Sequence, residues 1–373
     1  MGKQRVRTRI RVKTDRDGKP ISTFSLREWW RAWRRSVAIA AGGVAVLVAA
    51  AGLWLYRPQA TESVDAPPGM VWIPPGQFWM GTNDPAFPDA NPQHPVYLDG
   101  FWMDATEVTN AEFQRFVEAT GYKTLAERLP EQLSNPELTP EMLLPASMVF
   151  VPPSASQGAF NVLHCWRRIP GADWRHPEGP ESSIQGRENH PVVHIGVPDA
   201  RAYAEWAGKS LPTEAQWEYA ARGGLDRKAF CWGDEMKPGR KWVANVWQGT
   251  FPVTNTAEDG FAGTAPVASF PPNGYGLYDM AGNVWEWCFD WYRPDYYATS
   301  PERNPLGPPS SMEPSNPMDP RRVMRGGSFL SPATEASQFA VAARHRGDPR
   351  APSCHVGFRC VKLPGGDAAE NQR

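Results

Sequence analysis

Proline and glycine punctuate this chain throughout. Its 39 prolines and 33 glycines interrupt long helices, because proline lacks a backbone N–H and glycine loses the most entropy on ordering. A helical bundle or coiled coil is therefore excluded. The 17 tryptophans, with 41% apolar and 21% charged residues, exclude wholesale disorder as well. The chain reads as a turn-rich globular fold with a real core, and 373 residues allow one large domain or two small ones.

The formal net charge of −1 hides an asymmetry. Residues 1–35 hold twelve Lys/Arg and three Asp/Glu, leaving 27 basic and 37 acidic residues for the rest. A basic head and an acidic body suit two environments. Ser36 to Tyr56 carries no charge. A helix of about 20 apolar residues crosses a bilayer core, so residues 36–56 are expected to be a transmembrane signal anchor. The positive-inside rule keeps residues 1–35 cytoplasmic and exports the remainder. The protein is then a single-pass protein of the inner cell membrane with a periplasmic or other extracytoplasmic domain. A cleaved leader is the alternative, with Arg34-Arg35 before the run and Ala49-Ala50-Ala51 as a cutting site. Cytoplasmic topology accounts for the basic head without a nucleic-acid partner. Residues 57–68 read as a linker, 69–363 as the exported domain and 364–373 as a disordered tail.

Within the domain, residues 70–76 and 78–81 read as two strands forming a hairpin. Thr109-Asn110 caps a helix over 111–117, residues 197–199 cap a second over 200–207, and a third over 212–222 ends at Gly223-Gly224. The five cysteines, Cys165, Cys231, Cys288, Cys354 and Cys360, all follow the apolar run. They include no CxxC and read as core thiols or disulfide halves, with at least one left over. His190 and His194 have a zinc spacing for a helix, but Pro191 and Val192-Val193 argue for an extended segment. HExxH, GxSxG, Walker and GxGxxG motifs are absent from the sequence.

A collinear series of motifs spans the domain: EVTNAEF at 107–113, ADWRHPEGP at 172–180, LPTEAQWEY at 211–219, NVWQG at 245–249, GYGLYDMAGNVWEW at 274–287, RGGSF at 325–329 and GFRC at 357–360. The series closely resembles the formylglycine-generating enzyme (sulfatase-modifying factor) family over nearly all of 69–363. The resemblance implies a single α+β domain with little regular secondary structure and few short helices. It also implies an oxidoreductase lineage that converts a sulfatase cysteine to Cα-formylglycine with copper and oxygen. One fold hosts several functions, so membership alone does not fix the reaction.

The resemblance further implies two structural Ca²⁺ sites. One comprises Asn245, Asp259 and the carbonyls of Val246 and Phe261. The other comprises Asp279, Glu286 and the carbonyls of Gly282 and Val284. Irregular oxygen-rich loops suit calcium, although Asp and Asn also cap turns. The family's enzymes carry two copper-binding cysteines five positions apart after Gly-Gly-Ser. Those positions are Ser331 and Ala336 here. A hard hydroxyl and a methyl replace no thiolate on Cu(I), so copper and a catalytic cysteine pair are not expected. Any rescue has to come from Cys354 and His355. Ala204 and Ala221 stand where some relatives have structural cysteines, which leaves Cys360 without that partner. Trp285 and Ser328 match residues bordering the family's oxygen pocket. Without metal ligands they read as core packing and a turn hydroxyl.

Three functions follow. The first is binding or assisting an exported protein or peptide, a sulfatase among the candidates, without copper-dependent oxidation. The second is an oxidoreductase of the formylglycine-generating type, or one with altered chemistry on another secreted substrate. The third is a calcium-dependent glycan-binding module using exposed Trp and Tyr around residues 285–297.

Overall fold

Pro74-Pro75 separates the first two strands into different sheets. β1 (Met70–Ile73) and β2 (Gly76–Met80) are strands, but they do not form the expected hairpin. β2 pairs antiparallel with β3 (His94–Leu98), and β1 pairs antiparallel with β4 (Phe101–Asp104). Two successive prolines have fixed φ and no N–H, so they carry the chain onward instead of closing a turn that keeps the ladder in register. The structure is a computed structural model. It describes residues 16–17, 66–129, 139, 143–153, 161–312 and 319–365. The apolar run at 36–56, nearly all of the basic head, and most of the linker and tail lie outside the described residues. Among the described residues no helix is long and apolar enough to cross a membrane.

Residues 65–373 cluster as one unit, with few helices. α1 (Asn110–Thr120) starts at a capping box. Thr109 Oγ1 accepts from the Glu112 N–H at 3.3 Å, and Glu112 Oε2 accepts from the Thr109 N–H at 2.9 Å. β5 (Ala146–Phe150) and β6 (Trp166–Pro170) form an antiparallel ribbon. α2 (Val197–Trp206) is capped by Gly196, not by residues 197–199. Asp199 lies inside the first turn, and its carboxylate accepts from the Gly196 N–H at 2.9 Å. α3 (Glu214–Arg222) is capped by Thr213 and closed by left-handed Gly223.

Beyond α3 the sequence reading finds mostly loop. The structure has the ribbon β7 (Gly249–Thr250) with β8 (Thr254–Asn255), followed by the seven-residue strand β9 (Trp285–Trp291). β9 joins β10 (Arg322–Arg325), β11 (His345–Gly347) and β12 (Val356–Gly357) in the order β11-β10-β9-β12. β13 (Val361–Lys362) completes the first sheet, β1-β4-β13. Mixed sheets with a few short helices make the fold α+β.

Among the described tryptophans, Trp174, Trp217, Trp247, Trp285 and Trp287 are buried in the core, whereas Trp72, Trp79 and Trp206 are exposed. Trp217 sits with Ile73, Phe101 and Phe339 in the largest cluster, and Trp174, Trp285 and Trp287 sit with Phe113 and Phe358 in the second. A third, small cluster holds Trp247, Leu330 and Cys354. All five thiols are free and buried. Ala204 and Ala221 are fully buried in apolar packing. Glu214 and Glu218 hold Arg325, the last residue of β10, and Arg344, which directly precedes β11, in a network of buried ion pairs with α3.

Candidate binding cleft and oxygen-rich loops

β10 is followed by Gly326-Gly327, both left-handed at φ +95 and +78. A Cβ on Gly327 would stand 2.7 Å from Phe339 Cβ, so this tight departure from the strand requires glycine. The turn delivers Ser328 and Ser331 to a cleft of about 360 Å³, whose wall also includes Trp285, Trp166, Phe251, Asp89, His345 and His355. Ser328, Ser331 and Trp285 therefore line one cleft. Ala336 instead packs half-buried against the main core, while its neighbours Ser337 and Gln338 face the cleft.

Both serines are spent on the turn. Ser331 Oγ accepts from the Ser328 N–H at 3.0 Å, and Ser328 Oγ accepts from the Leu330 N–H at 3.2 Å. The Ser331 carbonyl accepts from the Trp247 N–H at 2.9 Å. Among the described residues Ser331 Oγ is hydrogen-bonded to backbone and not to a histidine that could take its proton as a base. The His345 ring stacks on Trp285 at 5.0 Å, and His355 lies 4.6 Å from the Trp166 ring. Burial, reinforced by His345 and His194, pushes His355 down to about 3. It is neutral at physiological pH.

The donors present do not fit copper. Neither Ser331 nor Ala336 offers a thiolate. Cys354 and His355 are adjacent but serve different cavities: His355 lines this cleft, whereas Cys354 lines a second one. Cys354 Sγ accepts from the Phe150 N–H at 3.3 Å, and burial pushes its thiol up to about 12. Cys354 does not line the cleft that holds Ser331, so it does not stand in for the missing soft ligand there. Among the described residues, no group of three His, Cys, Asp or Glu side chains is arranged to hold a metal ion.

The two oxygen-rich loops abut. The Asn283 N–H donates to the Asn245 carbonyl at 2.8 Å, and Asn245 Nδ2 donates to Asn283 Oδ1 at 3.1 Å. Asn245 is buried, and its Oδ1 has no hydrogen-bond partner. Asp259 Oδ2 accepts from the Val246 N–H and from Gln248 Nε2, at 3.0 and 2.7 Å, and Gln248 Nε2 also donates to the Val246 carbonyl. An amide N–H group therefore bridges two of the oxygens that a cation would hold, while Asn245 Oδ1 lacks any donor. Asn245 Oδ1 is thus a buried acceptor left open beside two oxygens that a neutral amide already bridges.

In the second quartet Glu286 Oε1 and Oε2 each lie 2.7 Å from the Arg359 guanidinium, and Trp217 Nε1 donates to Oε2 at 2.8 Å. Arg359 occupies the carboxylate that a cation would need. Asp279 remains, and beside it lies Glu107, which the sequence reading missed as a site residue. Glu107 is fully buried, accepts from Asn283 Nδ2 at 3.0 Å through Oε1, and has an unpartnered Oε2. Burial, then the charge of Asp279, holds Glu107 well above the usual carboxylate range. Burial raises Asp279 to about 6.

Two further expectations are settled by geometry. His190 Nδ1 pairs with Thr264 Oγ1 at 2.9 Å, whereas His194 is enclosed between Ser147 Oγ and the Pro177 carbonyl at 2.6 and 2.8 Å. The segment between them is extended, so they form no zinc pair. The aromatics around 285–297 are not the exposed sugar platform considered above. Trp285, Trp287, Tyr292, Tyr296 and Tyr297 are buried, because the first four residues of β9 are covered on both faces and the turn after it packs on the core.

The chain was compared with known proteins. The model for the sulfatase-modifying factor enzyme 1-like domain matches residues 57–364. The formylglycine-generating enzyme of Streptomyces coelicolor is 46% identical over 84% of this chain and 94% of its own length. That of Bos taurus is 45% identical over 79% of this chain and 75% of its own. A Mus musculus protein named inactive C-alpha-formylglycine-generating enzyme 2 is 38% identical over 84% of this chain and 92% of its own. Among solved structures, PvdO from Pseudomonas aeruginosa superposes with a TM-score of 0.54 at 24% identity, over 79% of this chain and 94% of PvdO. That likeness bears on the fold alone.

Proposed function

We propose, from the premise that this chain belongs to the sulfatase-modifying factor enzyme 1-like family, that its cleft binds a segment of an exported protein without oxidising it through copper. One observation carries this reading. Ser331 stands in the cleft at the position of a copper-binding thiolate, with its Oγ committed to the Ser328 N–H, and residue 336 is alanine. A sulfatase is the partner that membership favours. A relative named as inactive, at 38% identity, supports a branch that kept the scaffold and lost the reaction.

The uncharged run at 36–56 and the basic residues before it support a membrane anchor that leaves the domain outside the cytoplasm. Calcium bound by Asn245, Asp259 and the carbonyls of Val246 and Phe261 would cross-link a loop that few ladders hold. Asp279 and the carbonyls of Gly282 and Val284 would hold a second ion, with Glu286 already engaged by Arg359.

The test is incubation of the full-length chain with a CxPxR peptide, copper and oxygen. The expected result is binding, read as fluorescence anisotropy of the labelled peptide, with the peptide mass unchanged. Conversion of the cysteine to formylglycine, seen by mass spectrometry, would overturn the reading in favour of the oxidoreductase.

A further inference from the structure

The second cleft, of about 390 Å³, lies across Leu330 from the first, and Leu330 lines both. Its walls are largely apolar: Val149, Phe150, Pro177, Val193, Trp247 and Phe329 are among them. Cavities of this size and character accommodate a small organic group that is oriented by a few polar atoms.

The polar atoms here are specific. Asn110 lines the cleft and is 3% exposed. Its Nδ2 donates to the Arg187 carbonyl at 2.8 Å, which fixes the orientation of the amide. Its Oδ1 is buried with no hydrogen-bond partner. A buried acceptor left without a donor costs free energy, so something must complete it. The charges on the wall are already matched. Glu178 and Arg187 form a two-pronged ion pair at 2.6 and 2.9 Å, and His190 Nδ1 is held by Thr264 Oγ1. An occupant with net charge finds no counter-charge there.

We propose that this second cleft binds a neutral, flat, apolar ring carrying one N–H or O–H donor, an indole or a phenol, with the donor directed to Asn110 Oδ1. The ring comes either as a free small molecule or as a side chain of a peptide. Aromatic walls from Phe150, Trp247 and Phe329 suit a flat ring. The inference is independent of the reading of the first cleft and uses no CxPxR peptide in its test.

The experiment titrates the full-length chain calorimetrically with indole and, separately, with benzofuran, which keeps the shape and replaces the N–H by oxygen. Indole is expected to bind at least tenfold tighter. Gly263 also lines the cleft, and a Cβ added to it meets nothing within 4 Å. Gly263→Leu is therefore expected to weaken indole binding at least tenfold with thermal stability unchanged. N-acetyltryptophanamide binding at least as tightly as indole assigns the ring to a peptide, and indole binding alone assigns it to a free molecule. Equal binding of benzofuran and indole would mean that water serves Asn110, and the proposal fails. It fails equally if neither ring binds. The benzofuran comparison needs no variant and decides the matter even if Gly263→Leu does not fold.

Discussion

The Ser331 hydroxyl caps the Ser328 backbone N–H at 3.0 Å, closing the turn that carries both residues into the cleft. The side chain standing at the copper-ligand position has become part of the scaffold. Ser331→Ala should lose about 1 kcal/mol, the usual worth of one such hydrogen bond, measured by urea denaturation. Ser331→Cys with Ala336→Cys should retain Cu(I) against a competing chelator under reducing conditions, whereas the natural chain should not. Tight, stoichiometric Cu(I) on the natural chain would contradict the assignment.

His194 should make the fold acid-sensitive. Full enclosure lowers its pKa to about 4, from an ordinary 6.5. The unfolded chain therefore takes up this proton first as pH falls. The stabilisation is complete above about pH 6.5 and is lost as pH drops toward 4, amounting to roughly 3 kcal/mol for a shift of this size. Chemical denaturation across that window should show the loss, and His194→Gln should flatten it.

Asp290 should act in the opposite sense. Burial, then the neighbouring charge of Glu214, raises it to about 7, while Asp290 Oδ2 accepts from the Glu214 N–H at 2.7 Å. Its contribution is complete below about pH 4 and declines as pH rises toward 7, because the folded form resists ionisation. Asp290→Asn keeps an acceptor for the Glu214 N–H and removes the titration. Stability of this variant should fall less than that of the natural chain between those two pH values.

Calcium removal should loosen the domain through the first oxygen-rich loop. A chelator is expected to lower the melting temperature by several degrees, and re-addition of Ca²⁺ should restore it. Asn245→Ala should melt at one temperature with or without chelator. A melting temperature of the natural chain that ignores the chelator would remove calcium from the account.

Much of this was legible in the amino-acid order, for identifiable reasons. Two of the three helices, α1 and α3, start at local capping boxes, Thr109 with Glu112 and Thr213 with Gln216, whereas the start of α2 at Gly196 was not legible, because glycine has no capping side chain. The pairing of β1 with β4 was not legible, since partner choice rests on packing across 30 residues and not on alternation within four. β9 was hidden because it is buried on both faces at Trp285, Glu286, Trp287 and Cys288, which erases alternation. The motifs brought Ser328, Ser331 and Trp285 to one cleft, but Glu107 and Arg359 became visible as partners of the second oxygen-rich loop only in three dimensions. They are far from Glu286 in sequence and read locally as ordinary charged residues. The divergence of Cys354 from His355 into separate cavities likewise depends on which side of the backbone each occupies.

The sheet β1-β4-β13 stitches the first described strand of the domain to the last through their shared neighbour β4. Ser210 exchanges both backbone hydrogen bonds with Val361 at the same seam. During synthesis, the exposed flank of β4 stays unsatisfied until residues 361–362 emerge, however early α1 and α3 form. Completion of this fold is a terminal event, and a chain cut short before Val361 would present an open, sticky edge to its surroundings.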